Sequence, residues 1–343
     1  MVVRSGEPLG SVVEGAGPSG RRLLLDVIFA GLLAALAIYG VLYVNPLIAG
    51  TPARPQPWAA VLLAALWPAG SLVLVSFIER LLPAAGPRKS ASNWLLHLQI
   101  NLFYTFMAGI AAGVTIIATG AIASHFGFKL GLIDLRFASG RGLLAMFGAV
   151  WVAAVAGDFF FYWFHRALHR VPVLWAHHKM HHMDETLEAV TVTRQNWIEV
   201  FIAALLIFIP MRIVFKVDSF DLVQLGLLSG AFVTIFSNLL GLGHMNVRWQ
   251  VGRASVIFCS PQVHRIHHSR LPQHRDRNFA FIFPLWDVLF RTYYAPQRDE
   301  FPPTGVAGEG EIHSFWESQI YTQREWWRMF RGWRQRRARG GSA

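Results

Sequence analysis

Three short stretches of the chain gather imidazole at spacings that could hold metal. "FHRALH" carries His165 and His169, "HHKMHH" (177 to 182) carries four histidines, and "VHRIHH" carries His264, His267 and His268. Of the 14 histidines, 11 lie between residues 165 and 274. Neutral imidazole is the commonest protein metal ligand. Cys259 is the single cysteine, so the sequence offers neither a disulfide framework nor a thiolate cluster, and a metal would be held by nitrogen and oxygen.

The spacings sort these residues on helices. His165 and His169 stand at i and i+4, on one face. His178, His181 and His182 form His-x-x-His-His, in which the i, i+3 pair shares a face and His182 points about 100° away, suited to a second metal or to the far side of the first. His177 with His181 offers a competing register that spacing does not decide. His264, His267 and His268 repeat the pattern. With His244, which ends the last apolar window, the candidates number nine, three more than a six-coordinate ion takes. Two metals with four or five nitrogens each and an open position fit better. Ligand type admits Fe, Zn, Cu or Mn: a redox metal would activate oxygen, and zinc would serve a hydrolase or a structural site.

Other polar residues stand close to these boxes. Asp158 lies two helical turns before His165, inside an apolar run where a carboxylate is costly, and its expected task is to accept the second ring N–H of a ligating histidine. Asn278 and Asp287 are placed to cap or orient the third box from outside. Trp286 and Phe290 read as interfacial anchors. His274, in "LPQHRDRN", reads as solvent-facing.

The elements that must position these residues are apolar helices. Hydrophobic residues make up 54% of the 343 and charged residues only 15%. Nearly uncharged windows recur at 23–44, 58–78, 95–120, 143–164, 197–215 and 220–243, each able to cross a hydrocarbon core of roughly 30 Å. The expected fold class is all-α: a polytopic membrane bundle of about six spans with a cytoplasmic, histidine-rich cap. Of the 31 Lys and Arg, 25 fall on the side of the N-terminus and 6 on the other, which places both termini and the histidines in the cytoplasm. With six spans the three boxes and His244 all emerge on that side.

The expected organisation is a disordered 1–20, N-terminal spans over 21–142, a histidine-box domain over 143–296 and a basic tail over 297–343. The tail's "REWWRMFRGWRQRRAR" (324 to 339) interleaves tryptophan with arginine, which suits a helix lying on anionic lipid headgroups better than nucleic acid.

The ordered boxes, with "DFFFYWFHRALH" leading in, "GHMNVR" between, "SPQVHRIHHS" as the third box and "NFAFIFPLWDVLFRTYY" after it, resemble the fatty acid hydroxylase/sterol desaturase superfamily over roughly 143 to 306. The resemblance implies a membrane-embedded oxygenase with two iron ions, acting with O2 on a C–H bond of a lipid and drawing electrons from a separate donor protein. Hydroxylation and desaturation are both within its reach. It selects His178 over His177 and adds His244 as the histidine between boxes. Where relatives often carry a further histidine after the second box, this chain has Gln195 and Asn196. Two other readings compete. A zinc-dependent membrane lipid hydrolase would use Glu185 or Glu188 as base. A metal transporter would need ligands spread through the depth of a pore.

Overall fold

The computed structural model describes residues 72, 75–134, 143–215, 242–249 and 252–340. The disordered segment expected at 1–20, the first apolar window and nearly all of the second and sixth lie outside the described residues. What is described is helical, with two isolated bridges, Ile133 with Phe215 and Ser269 with Thr304, and no strand among the described residues.

Helix α1 (Ala91–Phe126) begins where the Ser90 side chain accepts the Asn93 N–H and ends at Gly127, whose left-handed φ of 68° lets its N–H return to Ala123 O. Its 36 residues extend about 54 Å. Helix α2 (Leu143–Arg170) carries the first box on its last turns. It stops because Pro172 forces Val171 into an extended conformation, and the same proline opens α3 (Pro172–His182). This one-residue corner folds α3 back along α2, so two consecutive helices present their histidines to each other.

After a 3-10 turn at Ala189–Thr191, Asn196 caps α4 (Trp197–Ala203) by accepting the Ile198 N–H. A π-helical turn (Ala204–Phe208) then leads into α5 (Ile209–Val214). Pro210 near the start of α5 lacks an N–H and crowds the preceding turn, and the widened turn accommodates it. Together these pieces form Trp197–Val214, the one stretch among the described residues that is long and apolar enough to cross a membrane, with a mean hydropathy of 2.2. Helix α6 (Pro261–His267) bears the third box and starts at a Ser260–Pro261 cap. A short α7 (Leu285–Leu289) and the long C-terminal α8 (Phe315–Gly340) follow.

Apolar contacts tie these helices together below the boxes. Phe164 and Leu168 of α2 bury against Ala203 of α4, with Phe161 and Leu174 beside them. Val200 and Ala204 bury against Ala111 of α1. Each large side chain so buried contributes about 1.5–3 kcal/mol. Farther along α1 the surface turns outward: Ile117 is 73% and Phe126 72% exposed, an apolar face that water does not favour.

Candidate metal centre

The nine candidate histidines converge. His165, His169, His178, His182 and His267 form one group and His181, His244, His264 and His268 another, and within each group the candidate ligand atoms all lie within 4.8 Å of one another. His169 is half-buried and the other eight are buried. His177 joins neither group; it is buried with its ring edge-on to Trp326, centroids 4.5 Å apart.

The grouping corrects the pairing expected from spacing. In the second box it is His178 and His182, at i and i+4, that share a group, while His181 faces the other. The third box does the same: His264 and His268 share a group and His267 crosses over. The reason is angular, since on a helix residues four apart lie about 40° from each other and residues three apart about 60°. Each His-x-x-His-His box thus contributes to both groups and ties them together.

Hydrogen bonds on the outer ring nitrogens fix how the rings face. The His165 Nδ1 lies 2.7 Å from Phe279 O and the His267 Nδ1 2.8 Å from Arg277 O. A carbonyl only accepts, so each Nδ1 carries the proton and leaves the lone pair on Nε2. Thr191 donates its hydroxyl to Glu188 O (2.8 Å), so its oxygen is free to accept from His244 Nδ1 at 3.2 Å. Two further rings face carboxylates without a formed hydrogen bond: His178 Nδ1 lies 3.4 Å from Glu199 Oε1, and His169 Nδ1 lies 3.8 Å from Asp276 Oδ1.

The Nε2 atoms point inward and crowd. His165 and His178 approach to 2.9 Å, His169 and His182 to 3.1 Å, His264 and His244 to 3.0 Å, and His268 and His264 to 3.1 Å. Two nitrogens each about 2.1 Å from one ion and 90° apart would stand about 3.0 Å from each other. The donor set and its spacing therefore fit metal ions. Burial also holds the imidazoles neutral, as ligation requires. It lowers His181 to about 3, reinforced by the nearby His267, and lowers His267 to about 4 against its bond to Arg277 O. His165, His169, His178, His182, His244, His264 and His268 are pushed well below the ordinary range by burial first and then by their fellow imidazoles.

Asp158 does not do what the sequence suggests. Its carboxylate bonds no histidine and instead accepts the backbone N–H groups of Phe281, Ile282 and Phe283 at 2.8–3.1 Å. Asp287 accepts those of Phe279 and Ala280 at 2.8 and 2.7 Å. Two buried carboxylates thus hold five consecutive amides, and this loop supplies the carbonyl that orients His165. Helical spacing put Asp158 on the histidine face but could not reveal that a segment 120 residues later occupies the space between. Asn278, expected outside the third box, donates its amide to Val263 O of α6 and to Tyr294 O. Of the aromatic pair read as interfacial anchors, Trp286 packs on Phe159 and Phe290 on Tyr162, which joins this segment to α2.

His274 is also corrected. It is fully buried, with Nδ1 2.9 Å from Ser269 Oγ and Nε2 3.0 Å from Glu300 Oε1. Its partner Glu300 arrives from the arm that follows the box region, which local composition does not show. Asn196, standing where relatives of the expected family often carry a histidine, has a structural task. It caps α4 and donates to Ser318 O and Gln319 O, pinning α8.

Glu199 is the functional candidate that sequence reasoning passed over. A signal existed: like Asp158 it is a carboxylate inside an apolar window. The anchor of the second box was also missed. Lys89 Nζ meets Asp184 Oδ1 at 2.6 Å, with Arg194 3.6 Å from the same oxygen, all three side chains buried. Burial pushes the Asp184 carboxyl up, but the two cations prevail and hold it well below the usual carboxylate range. This fixes the chain just past His182.

Helices folded around two adjoining all-histidine groups define a class of protein built to hold metal beside apolar surface. Residues 150–292 match the family model described as "Fatty acid hydroxylase". It is 30% identical over 151 residues to an alkylglycerol monooxygenase of Danio rerio, covering 44% of this chain and 31% of the relative. A Caenorhabditis elegans alkylglycerol monooxygenase is 27% identical over 250 residues, covering 66% and 48%. An ornithine lipid hydroxylase, OlsE, of Rhizobium tropici is 30% identical over 155 residues, covering 45% and 44%. The chain thus spans about a third to a half of the length of these curated relatives. No solved structure matches it.

Proposed function

We propose that this protein is a membrane-bound, O2-dependent oxygenase that hydroxylates a C–H bond of a lipid, with two iron ions held by the nine histidines. The observation that carries this is the division of nine buried imidazoles into adjoining groups of five and four. When bound, a pair of iron ions would supply the activation of O2 that an unreactive C–H bond requires. The overall change is RH + O2 + 2e− + 2H+ → ROH + H2O, with the electrons delivered by a separate donor protein. Names of relatives, monooxygenase and hydroxylase, favour hydroxylation over desaturation and a lipid as substrate.

The protein's own part is positioning. His165, His169, His178, His182 and His267 would hold one ion and His181, His244, His264 and His268 the other. Phe279 O, Arg277 O, Thr191 and Glu199 keep the rings turned with Nε2 inward, so little reorganisation is needed when ions bind. Phe161 of α2, tilted on both His165 and Phe281 with centroids 5.2 and 4.8 Å away, adds apolar surface beside the centre that disfavours water. The reading also includes a multi-pass topology with the centre at the cytoplasmic face.

A zinc hydrolase is less well supported. Its base would have to reach the inner side of the centre, whereas Glu188 accepts the Lys89 N–H and pairs with Arg80. Glu199 and Asp276 both meet their histidines at Nδ1, the outward nitrogen. Metal analysis of the purified protein together with O2 uptake tests the proposal. About two iron ions per chain, with lipid-dependent O2 consumption, is the expected result. Lipid hydrolysis under anaerobic conditions with zinc alone would overturn it.

A further inference from the structure

Helix α8 has two faces of opposite character. Its inner face is tied to the second box. Ser318 and Thr322 are fully buried, and Glu325 receives Lys179 Nζ at 2.6 Å. The Trp326 indole donates to Val173 O at 2.9 Å, at the start of α3, and its ring meets that of His177, which directly precedes His178.

The outer face carries large apolar side chains that no other described element covers. Trp316 is 74%, Ile320 41%, Trp327 57% and Phe330 46% exposed. At 100° per residue these four fall within about 40° of one line, a stripe about 21 Å long. Trp327 and Phe330 stack, with centroids 5.9 Å apart, and Phe330 stacks on Trp333 at 6.1 Å. Exposed arginines flank the stripe and thicken toward its C-terminal end, where Arg337 lies over Trp333 at 4.3 Å. Of the two glutamates of the helix, Glu325 is paired with Lys179 and with the exposed Arg328, and Glu317 accepts the His313 N–H, so the remaining outer arginines stand in excess.

We infer that α8 lies flat on an anionic lipid surface, with Trp316, Ile320, Trp327 and Phe330 inserted at the headgroup boundary. Its arginines then meet lipid phosphates and carboxylates. Charge complementarity selects this occupant, since a narrow aromatic stripe edged by an excess of arginine matches a negatively charged interface that is apolar just beneath. Because the inner face grips α3, docking sets the height of the histidine groups relative to the bilayer. This surface is independent of which metal the centre holds.

The test uses the full-length protein in lipid nanodiscs, with Cys259→Ser and either Trp327→Cys or Arg328→Cys labelled with an environment-sensitive fluorophore. Nitroxide carried on the lipid headgroups serves as quencher. Quenching at position 327 is expected to exceed that at 328 several-fold, to be stronger with phosphatidylserine than with phosphatidylcholine alone, and to weaken with Arg331→Glu plus Arg334→Glu. Equal quenching at the two positions, or quenching indifferent to lipid charge, overturns the inference. So does shielding of position 327 only when two copies share a disc, which would assign the stripe to self-association. Should Trp327→Cys not fold, Trp316→Cys reads the same stripe.

Discussion

Glu199 Oε1 lies 3.4 Å from His178 Nδ1, and both side chains are only 2% exposed. A carboxylate behind a ligand ring fixes its orientation and raises its basicity. Replacing Glu199 by alanine is therefore expected to lower metal affinity or turnover roughly 10- to 100-fold. Glu199→Gln keeps a polar oxygen beside His178 Nδ1 and should lose much less. Metal content measured across a chelator titration separates the two, and equal loss in both variants would count against an orienting role.

The loop over Phe279–Phe283 gives a second expectation. Asp158 accepts three of its amides and Asp287 two. Asp158→Ala strands three buried N–H groups, each costing about 1–3 kcal/mol, so a loss of roughly 3 kcal/mol or more is expected. Asp158→Asn keeps one oxygen and the bonds to Phe281 and Ile282, and should fall between. The thermal midpoint in detergent reads the stability. Iron occupancy should drop first in the five-histidine group, because Phe279 O orients His165.

Much of this was legible beforehand, for reasons that can be named. The nine histidines, the helices that bear them and the exclusion of His177 follow from local spacing together with family resemblance. The loop between Arg277 and Phe283 was not legible, because the partners of Asp158 lie more than 120 residues away and are backbone amides, which leave no mark in side-chain identity. His274 misled for the same reason, its partner Glu300 lying 26 residues downstream. The pairing within each His-x-x-His-His box was not legible from spacing alone. Both i, i+3 and i, i+4 neighbours share a face, and only a partner helix decides which pair acts together.

The metal-free protein should lose stability in acid. Burial holds His267 at about 4 and His181 at about 3 when folded, below the ordinary 6.5. Below pH 6.5 the unfolded chain binds protons that the folded state refuses. Stability is therefore full above that pH and declines as pH falls toward 4 for His267 and toward 3 for His181. The slope approaches about 1.4 kcal/mol per pH unit for each such histidine. Denaturation of chelated protein between pH 7 and pH 4 checks this, and a flat profile would contradict it.

The crossing of the two boxes makes the last prediction specific. His267 belongs to the five-histidine group although its neighbours His264 and His268 belong to the four. Under the proposed assignment, His267→Ala removes one of five ligands and leaves the other group complete, so roughly one of two irons should be retained tightly. His268→Ala removes one of four and should release the other ion, and His181→Ala should behave like His268→Ala although it sits in a different box. All three are expected to abolish turnover, since each disables one half of a pair. His177→Ala should keep both ions and most activity, losing only packing against Trp326, seen as a lowered thermal midpoint. Iron counts that sort by box, with His181→Ala resembling His178→Ala instead of His268→Ala, would refute the crossed assignment.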